Sequence, residues 1–248
     1  MAKLPDYGID APNIVRGLIA YGLGLTILAP VIHTFAPAFG VLTLGPVTLP
    51  IVRIAGITGI VLLVEGLYMY WASRVGKLRA RDALIANLSL IGHERVLDVG
   101  CGRGLLMIGA AKRLLGGRAV GLDLWSQTDL SENAREATLA NARAEGVESQ
   151  VEVQDGDMRK MPFENATFDV VISSLAIHNI SDPEGRRKAL AEIVRVLKPG
   201  GRLALQDFRN VHDYALALTG LGCTEVKESS ASFWIFPPVT VVTAKKRV

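Results

Sequence analysis

The pattern of apolar and polar residues divides the chain into two parts. Residues 17–52 contain no Asp, Glu, Lys or Arg, and residues 54–72 form a second apolar stretch that only Glu65 interrupts. About 20 apolar residues are enough for a helix to cross the hydrocarbon core of a bilayer. A connector rich in proline and glycine separates the two stretches. We therefore predict a transmembrane hairpin of two helices, 17–36 and 54–72, within an N-terminal segment 1–72.

After residue 92, short apolar segments alternate with helical ones. Strands are predicted at 95–97, 119–122, 151–153, 168–173 and 202–206, and helices at 105–115, 182–197 and 211–221. A further helix is expected to run to about residue 145 from an N-cap at Asp129 or Ser131. Two last strands, near 224–235 and 240–245, are joined by Pro237 and Pro238. This order predicts an α/β domain over 93–248 with a Rossmann-like sheet, mostly parallel with one antiparallel strand.

Residues 73–92 link the two parts and are predicted to form a basic amphipathic helix. The positions 78–91 carry the helical periodicity. The apolar stripe consists of Leu78, Leu84, Ile85, Leu88 and Ile91.

The positive charge of the chain is concentrated in this linker. Arg74, Lys77, Arg79 and Arg81 outweigh Asp82 by three charges, which equals the net charge of the whole chain, +3. The balance therefore gives little support to a nucleic-acid-binding face. Basic residues directly after a span favour the cytoplasmic side, so we expect an integral protein of the cell membrane with its α/β domain in the cytoplasm. An aromatic belt precedes them, formed by Tyr68, Tyr70 and Trp71.

Other interpretations of the N-terminal segment stay open. Residues 1–38 end in a small-x-small pattern typical of a signal-peptide cleavage site, but the apolar region is long and Asp6 and Asp10 oppose a basic start. The helices can instead lie in the membrane interface or form an oligomeric core, so an oligomer through the hairpin is possible. Glu65 is a functional candidate by its depth, although structural pairing or proximity to the headgroups explains it equally simply. Near the span ends, Arg16 and Arg53 can extend to the headgroups.

The chain has too few cysteines for stabilisation by several disulfides or by a cysteine-bound metal. The two cysteines, Cys101 and Cys223, cannot form a disulfide framework or a metal cluster. We expect a reducing setting for the α/β domain and no metal site.

A glycine-rich turn follows the first predicted strand. Residues 95–104 read RVLDVGCGRG, with Asp98 at the end of the apolar run and Gly100, Gly102 and Gly104 at alternate positions. Glycines there let a ligand approach the backbone next to a helix start. The spacing lacks the pattern of dinucleotide and phosphate loops, and alone it is a weak signal. It is followed by Asp123 after the second strand, Gly156-Asp157-Met158, Met161-Pro162-Phe163 and the LKPGGR segment 197–202.

These five ordered motifs resemble the class I S-adenosylmethionine-dependent methyltransferases, in particular their small-molecule and lipid branch, over residues 95–246. The resemblance implies S-adenosyl-L-methionine as cofactor, and it implies that the helix of residues 73–92 caps the cofactor. It places Asp98 and Gly100 at the methionine end, Asp123 at the ribose and Asp157 at the adenine amino group. Met158 would flank the adenine ring, and the chain would pass close to the cofactor at Gly102 and Gly104. The remaining residues predicted to bind the cofactor are Cys101, Leu124 and Ser173.

The acceptor side is predicted at the end of the fourth strand, where Ser173, Ser174, His178 and Asn179 follow one another. His178 has a side chain suited to removing a proton near neutral pH, although a positional role is as well supported. The candidates for substrate contact are Trp125, Asn179, Asp207 and Arg209. For Trp125, a ring that covers the end of the sheet is the alternative. No Asn/Asp-Pro-Pro-Tyr motif follows the fourth strand, which argues against a nucleic-acid methyltransferase.

Three functions remain at this stage. The first is a membrane-anchored methyltransferase of a hydrophobic or membrane-resident small molecule, such as a lipid head group, quinone or isoprenoid. The second is a tethered enzyme for small water-soluble amines, thiols or oxyanions. The third is a membrane protein that binds the cofactor without turnover.

Overall fold

A computed structural model describes residues 4–125 and 134–248. The chain divides into two compact units, one formed by Ile9–Arg74 and the other by Met1–Gly8 with Val75–Val248. Residues 4–8 thus belong to the same unit as the α/β domain. The predicted cap residues Asp129 and Ser131 lie outside the described residues.

The smaller unit consists of two long helices, α1 (Pro12–Phe35) and α2 (Ile51–Trp71). Each begins a few residues before the predicted span. The connector holds a single turn, Pro37–Gly40, and two short antiparallel strands, β1 (Leu42–Leu44) and β2 (Val47–Leu49). By length and composition, Pro12–Phe35 and the helical run Ile51–Asn87 are able to cross a membrane. Only 17% of the most apolar window of each is buried.

Small residues pack α1 against α2. The buried positions recur every seven residues: Val15, Gly22 and Ala29 on one helix, and Val52, Gly59 and Gly66 on the other. A methyl group at Gly22 would lie 2.6 Å from the Leu63 nitrogen, and one at Gly59 would lie 2.7 Å from the Thr26 nitrogen. The two backbones therefore approach as closely as in packed membrane helices, where glycine allows such contact.

The larger unit contains a seven-stranded sheet in the order β5-β4-β3-β6-β7-β9-β8. Among the strands that the structure describes in this sheet, β9 alone runs against the others, which confirms the predicted mostly parallel arrangement. The strands are β3 (Arg95–Val99), β4 (Arg118–Asp123), β5 (Val151–Asp155), β6 (Phe168–Ser174), β7 (Leu197–Asp207), β8 (Cys223–Glu228) and β9 (Thr240–Lys246).

Helices cover both faces of this sheet. One apolar cluster packs α6 and α7 against it, and the second packs α3 and α4 on the opposite face. The parallel strands all end at the same edge, so the loops that follow β3, β4 and β6 meet there. The helices are α3 (Lys77–Asn87), α4 (Leu105–Ala111), α5 (Arg135–Ala144), α6 (Pro183–Val196) and α7 (Val211–Gly220).

Several predicted boundaries differ from the structure. The prediction that Ile91 belongs to the apolar stripe is wrong: α3 ends at Asn87, Ser89 has a φ of 49°, and Ile91 is 77% exposed. The LKPGG segment, predicted as a turn, forms the start of β7 because Leu197 pairs with Phe168. Strand β8 stops at Glu228, well before the predicted residue 235.

The basic linker also differs from its sequence-based interpretation. Lys77 and Arg81 are buried, with 6% and 7% of their surfaces exposed. The Lys77 ammonium donates to the Tyr7 and Gly8 carbonyls at 2.8 and 2.7 Å. Only two of the four basic residues, Arg74 and Arg79, are exposed.

Candidate active site

The glycine turn joins β3 to α4 and packs against the segment that follows β6. Gly100, Gly102 and Gly104 have φ values of 72°, 50° and 83°, in the left-handed region that favours glycine. A methyl group at Gly100 would lie 2.3 Å from the Ala176 Cβ. The loop after β3 and the loop after β6 therefore touch at a point where only glycine fits.

Asp98 is fixed below this turn. Its Oδ2 accepts a hydrogen bond of 2.8 Å from the Met107 backbone in α4, and only 2% of the residue is exposed. Burial raises the pKa of Asp98 to about 7; the Met107 N–H opposes this rise and the negative charge of Asp123 adds to it. A cationic group bound beside Asp98 would favour its charged form.

Asp123 ends β4 and holds the turn directly. Its Oδ2 accepts from the Gly102 nitrogen at 2.8 Å, and its Oδ1 accepts from the Trp125 nitrogen at 2.7 Å. The Trp125 indole N–H donates to Asp155 Oδ1 at 2.8 Å, so the ring reaches across to the end of β5. The sheet edge thus carries Asp98, Asp123 and Trp125 in the order that the sequence indicates. Their contacts with cofactor or substrate stay predictions.

The other residues predicted to bind the cofactor have varied surroundings. Asp157 forms an ion pair with Arg159, whose hydrogen bonds lower the pKa of Asp157. Met158 packs against the core, with its Cε within 3.5 Å of the methyl position at Gly100. Leu124 is 60% exposed.

Cys101 and Ser173 are both buried and support the loop from below. The Cys101 sulfur lies 2.6 Å from the methyl position at Gly121, so this side chain fills the space over β4. Burial raises the pKa of the Cys101 thiol, which keeps it protonated. The Ser173 hydroxyl donates to the Val99 carbonyl at 2.7 Å and joins β6 to the end of β3.

A histidine and a buried carboxylate meet on the acceptor side. His178 Nδ1 lies 2.9 Å from Asp207 Oδ1, in an off-axis approach. The Asp207 carboxylate also accepts from the Tyr214 hydroxyl at 3.3 Å and the Phe208 nitrogen at 2.8 Å. The Phe208 ring packs edge-on to His178, with 4.6 Å between the ring centroids. Asp207 is 1% exposed and lies behind His178, whereas the sequence suggested a place at the pocket mouth.

The two remaining acceptor-side candidates lie at the surface. Asn179 is exposed in the single turn Ile177–Asn179. Arg209 is also exposed, with its guanidinium 5.2 Å from the centroid of the Phe208 ring. Contact of either residue with substrate stays a prediction.

Two buried polar residues of α5, missed in the sequence, hold the glycine turn. Thr138 donates through Oγ1 to the Gly102 carbonyl at 2.6 Å, and the Asn141 amide donates to the Arg103 carbonyl at 2.9 Å. The signal is the helical spacing of Thr138 and Asn141 on the face that packs against the domain, where polar side chains need partners.

The same Asn141 binds the N-terminal segment, which we call the strap (residues 4–8). Its amide donates to the Asp6 carbonyl at 2.9 Å, and its Oδ1 accepts from the Asp6 nitrogen at 2.8 Å. Arg103, inside the glycine turn, lies 3.2 Å from the Asp6 carboxylate. The Tyr7 hydroxyl donates to Glu145 at 3.1 Å. The strap is therefore fastened to the turn and to α5 by side chains that the apolar pattern does not reveal.

Fold and site together define an α/β domain of the class in which nucleoside-type ligands bind at the carboxyl ends of the parallel strands. Comparison with known proteins identifies the domain further. Residues 97–205 match the family model for a methyltransferase domain.

Two curated relatives agree with this match. The ubiquinone/menaquinone biosynthesis C-methyltransferase UbiE of Ruegeria sp. (strain TM1040) is 36% identical over 128 residues, 52% of this chain and 48% of the relative. The sterol 4-C-methyltransferase strm-1 of Caenorhabditis elegans is 32% identical over 128 residues, 52% of this chain and 35% of the relative. The chain thus spans half or less of the length of these relatives.

A solved structure shares the fold. The S-adenosylmethionine-dependent methyltransferase of Aquifex aeolicus superposes with a TM-score of 0.54 at 21% identity, covering 68% of this chain and 90% of that one. Residues 97–205 are therefore similar in sequence to methyltransferase domains, and the larger unit has the fold of a solved S-adenosylmethionine-dependent methyltransferase.

Proposed function

We propose that this protein is a membrane-anchored methyltransferase that transfers the methyl group of S-adenosylmethionine to a hydrophobic or membrane-resident small molecule, such as a lipid head group, a quinone or an isoprenoid. The observation that carries the proposal is the His178–Asp207 pair beside the glycine turn. It occurs in a chain whose two long apolar helices leave most of their surface uncovered.

The residues present fit the cofactor. Asp98 provides a buried carboxylate for a cationic group, and Asp123 provides a second one at the end of the adjacent strand, where a ribose can be bound. The turn between them, from Gly100 to Gly104, presents backbone close to any ligand at this edge. When bound, the sulfonium supplies a methyl group that is already activated toward nucleophiles.

The chain itself orients the acceptor and removes a proton from it. With His178 Nδ1 facing Asp207, the Nε2 atom is the one available to take a proton from an acidic acceptor. The buried Asp207 carboxylate then stabilises the imidazolium, and Tyr214 and Phe208 hold that carboxylate in place. Asp207 is on this view a positioning residue for His178.

The apolar hairpin supports a substrate that resides in the bilayer, because tethering raises the encounter rate with molecules confined to the same membrane. The names of the two relatives refer to quinone and sterol methylation, which agrees with this substrate class. We place the catalytic domain on the cytoplasmic side because Arg74 and Arg79 follow the second span.

The test is transfer of label from S-adenosylmethionine by the full chain in lipid nanodiscs, offered a total lipid extract or an aqueous extract. We expect label in the lipid phase. His178→Gln should lower kcat by about 100-fold or more while the Kd for S-adenosylhomocysteine stays unchanged. His212→Gln, at an exposed histidine of α7 outside the predicted site, is the matched surface control. Label confined to aqueous products would contradict the proposed substrate class, and unchanged kcat in His178→Gln would contradict the proton transfer.

A further inference from the structure

We propose that the loop between β8 and β9, residues 229–239, docks on the surface of an anionic phospholipid bilayer through Phe233 and Trp234. This rests on the proposed membrane anchoring and adds a contact made by the methyltransferase domain itself. The two aromatic side chains are 66% and 38% exposed.

The loop is held firmly behind these two residues. Ile235 and Val239 are 3% and 0% exposed and pack with Ala80 of α3 in a small apolar cluster. Ser232 and Val239 pair through two backbone hydrogen bonds of 2.7 and 3.0 Å. A fixed backbone that leaves a phenylalanine and a tryptophan at the surface is typical of an interaction site, since large aromatic residues are favoured at interfaces.

The position of the loop along the chain points to a membrane. A methyl group at Gly76 would lie 1.8 Å from the Trp234 carbonyl oxygen, so the backbones at these two residues touch. Gly76 follows Trp71, the last residue of α2, by five positions. Five residues span at most about 18 Å of extended chain. If α2 crosses a bilayer, the loop must therefore lie near its surface.

The charge beside the loop selects the kind of surface. The Arg79 guanidinium stands 4.9 Å from the centroid of the Trp234 ring, and Arg79 is exposed. Tryptophan prefers the headgroup region of a bilayer, where its ring is buried and its N–H stays hydrated. An arginine at the same depth attracts anionic phosphates. Phe233, Trp234 and Arg79 thus match an anionic lipid surface.

The docked loop would also connect the bilayer with the acceptor side of the site. Leu175 and Phe208 pack against the cluster of Ala80, Ile235 and Val239. Phe208 in turn packs against His178, with centroids 4.6 Å apart. The loop and the proposed base are thus linked by continuous apolar packing, which would place His178 close to a docked bilayer.

The three tryptophans of the chain provide the test. Each is kept alone in a full-length variant whose other two are changed to Phe, and each variant is placed in nanodiscs with lipids brominated near the headgroup end of the acyl chains. We expect Trp71 and Trp234 to be quenched at least twofold more than Trp125, which follows β4 by two residues. Addition of phosphatidylglycerol should increase the quenching of Trp234, and Arg79→Gln should abolish that increase.

The outcomes separate this inference from the proposed anchoring. If Trp71 is quenched but Trp234 is quenched no more than Trp125, the docking of the loop is overturned and the anchor stays intact. No quenching of Trp71 would overturn the anchor and the docking together. The selection of anionic lipid would be refuted if phosphatidylglycerol did not change the quenching of Trp234, or if it changed the quenching equally in Arg79→Gln and in its parent.

Discussion

Binding of the methyl donor should depend on pH through Asp98. This carboxyl is buried beneath the glycine turn, and its pKa is raised to about 7 by burial and by the charge of Asp123. A donor that carries positive charge favours the carboxylate over the acid, so it binds the ionised form more tightly. Below the pKa, binding must first remove the proton. The affinity should therefore fall as the pH falls.

The size of the effect follows from the pKa in the free protein. If Asp98 is fully ionised in the complex, the apparent Kd is multiplied by one plus the ratio of acid to carboxylate. Between about pH 7.5 and about pH 6 this factor rises about eightfold, or about 1.3 kcal/mol of binding free energy. Near pH 6, binding should release close to one proton from Asp98.

Isothermal titration with S-adenosylmethionine, the positively charged donor itself, measures both quantities. Titrations at the two pH values give the ratio of Kd, and titrations in two buffers of different ionisation enthalpy give the released proton. Asp98→Asn should bind more weakly at pH 7.5 and lose the dependence on pH. A Kd of the native protein that is constant across this range, with no proton released, would refute the assignment of Asp98 to the cationic end of the ligand.

Three further substitutions test the contacts around the site and in the hairpin. Gly100→Ala should raise the Kd for S-adenosylhomocysteine at least tenfold in calorimetry, because its methyl group meets Ala176; an unchanged Kd would contradict the tight contact. Lys77→Met should speed proteolysis of the strap and lower the free energy of unfolding by about 1–3 kcal/mol in chemical denaturation, because it leaves the buried Tyr7 and Gly8 carbonyls unpaired. Unchanged proteolysis would contradict the role of Lys77 in holding the strap. Gly59→Leu should separate α1 from α2 and abolish a disulfide engineered between them, whereas the exposed Ile57→Leu should preserve it.

The sequence predicts much of the fold because the sheet depends on apolar runs that can be read directly. Parallel strands buried on both faces are nearly continuous apolar segments, and each of the five predicted ones overlaps a strand of the structure. Strand boundaries that depend on pairing with a distant strand are harder to predict from the sequence. Leu197 joins β7 because it lies opposite Phe168, and no local signal in the LKPGG segment indicates this partner.

The site divides in the same way. The glycine turn and the acids in the last two positions of β3 and β4 are local features, so their places in the fold could be predicted from the motif. The pairing of His178 with Asp207 could not, since it joins residues 29 positions apart through the register of two strands. The strap is equally hidden: its fastening to Asn141 spans 135 positions. The burial of Lys77 shows why a basic residue near a span cannot be taken as a surface charge.

The contacts of the strap with Lys77 and Asn141 explain why residues 4–8 belong to the same unit as the α/β domain. The chain leaves this unit after Gly8 and returns to it at Val75, and the Lys77 ammonium donates to the carbonyls of Tyr7 and Gly8. One buried side chain, that of Lys77, therefore joins the segment where the chain leaves this unit to the segment where it returns. On the other side of the strap, Asn141 binds both Asp6 and the Arg103 carbonyl of the glycine turn. Because coupling between two sites is reciprocal, we expect a ligand that orders the glycine turn to stabilise the strap as well.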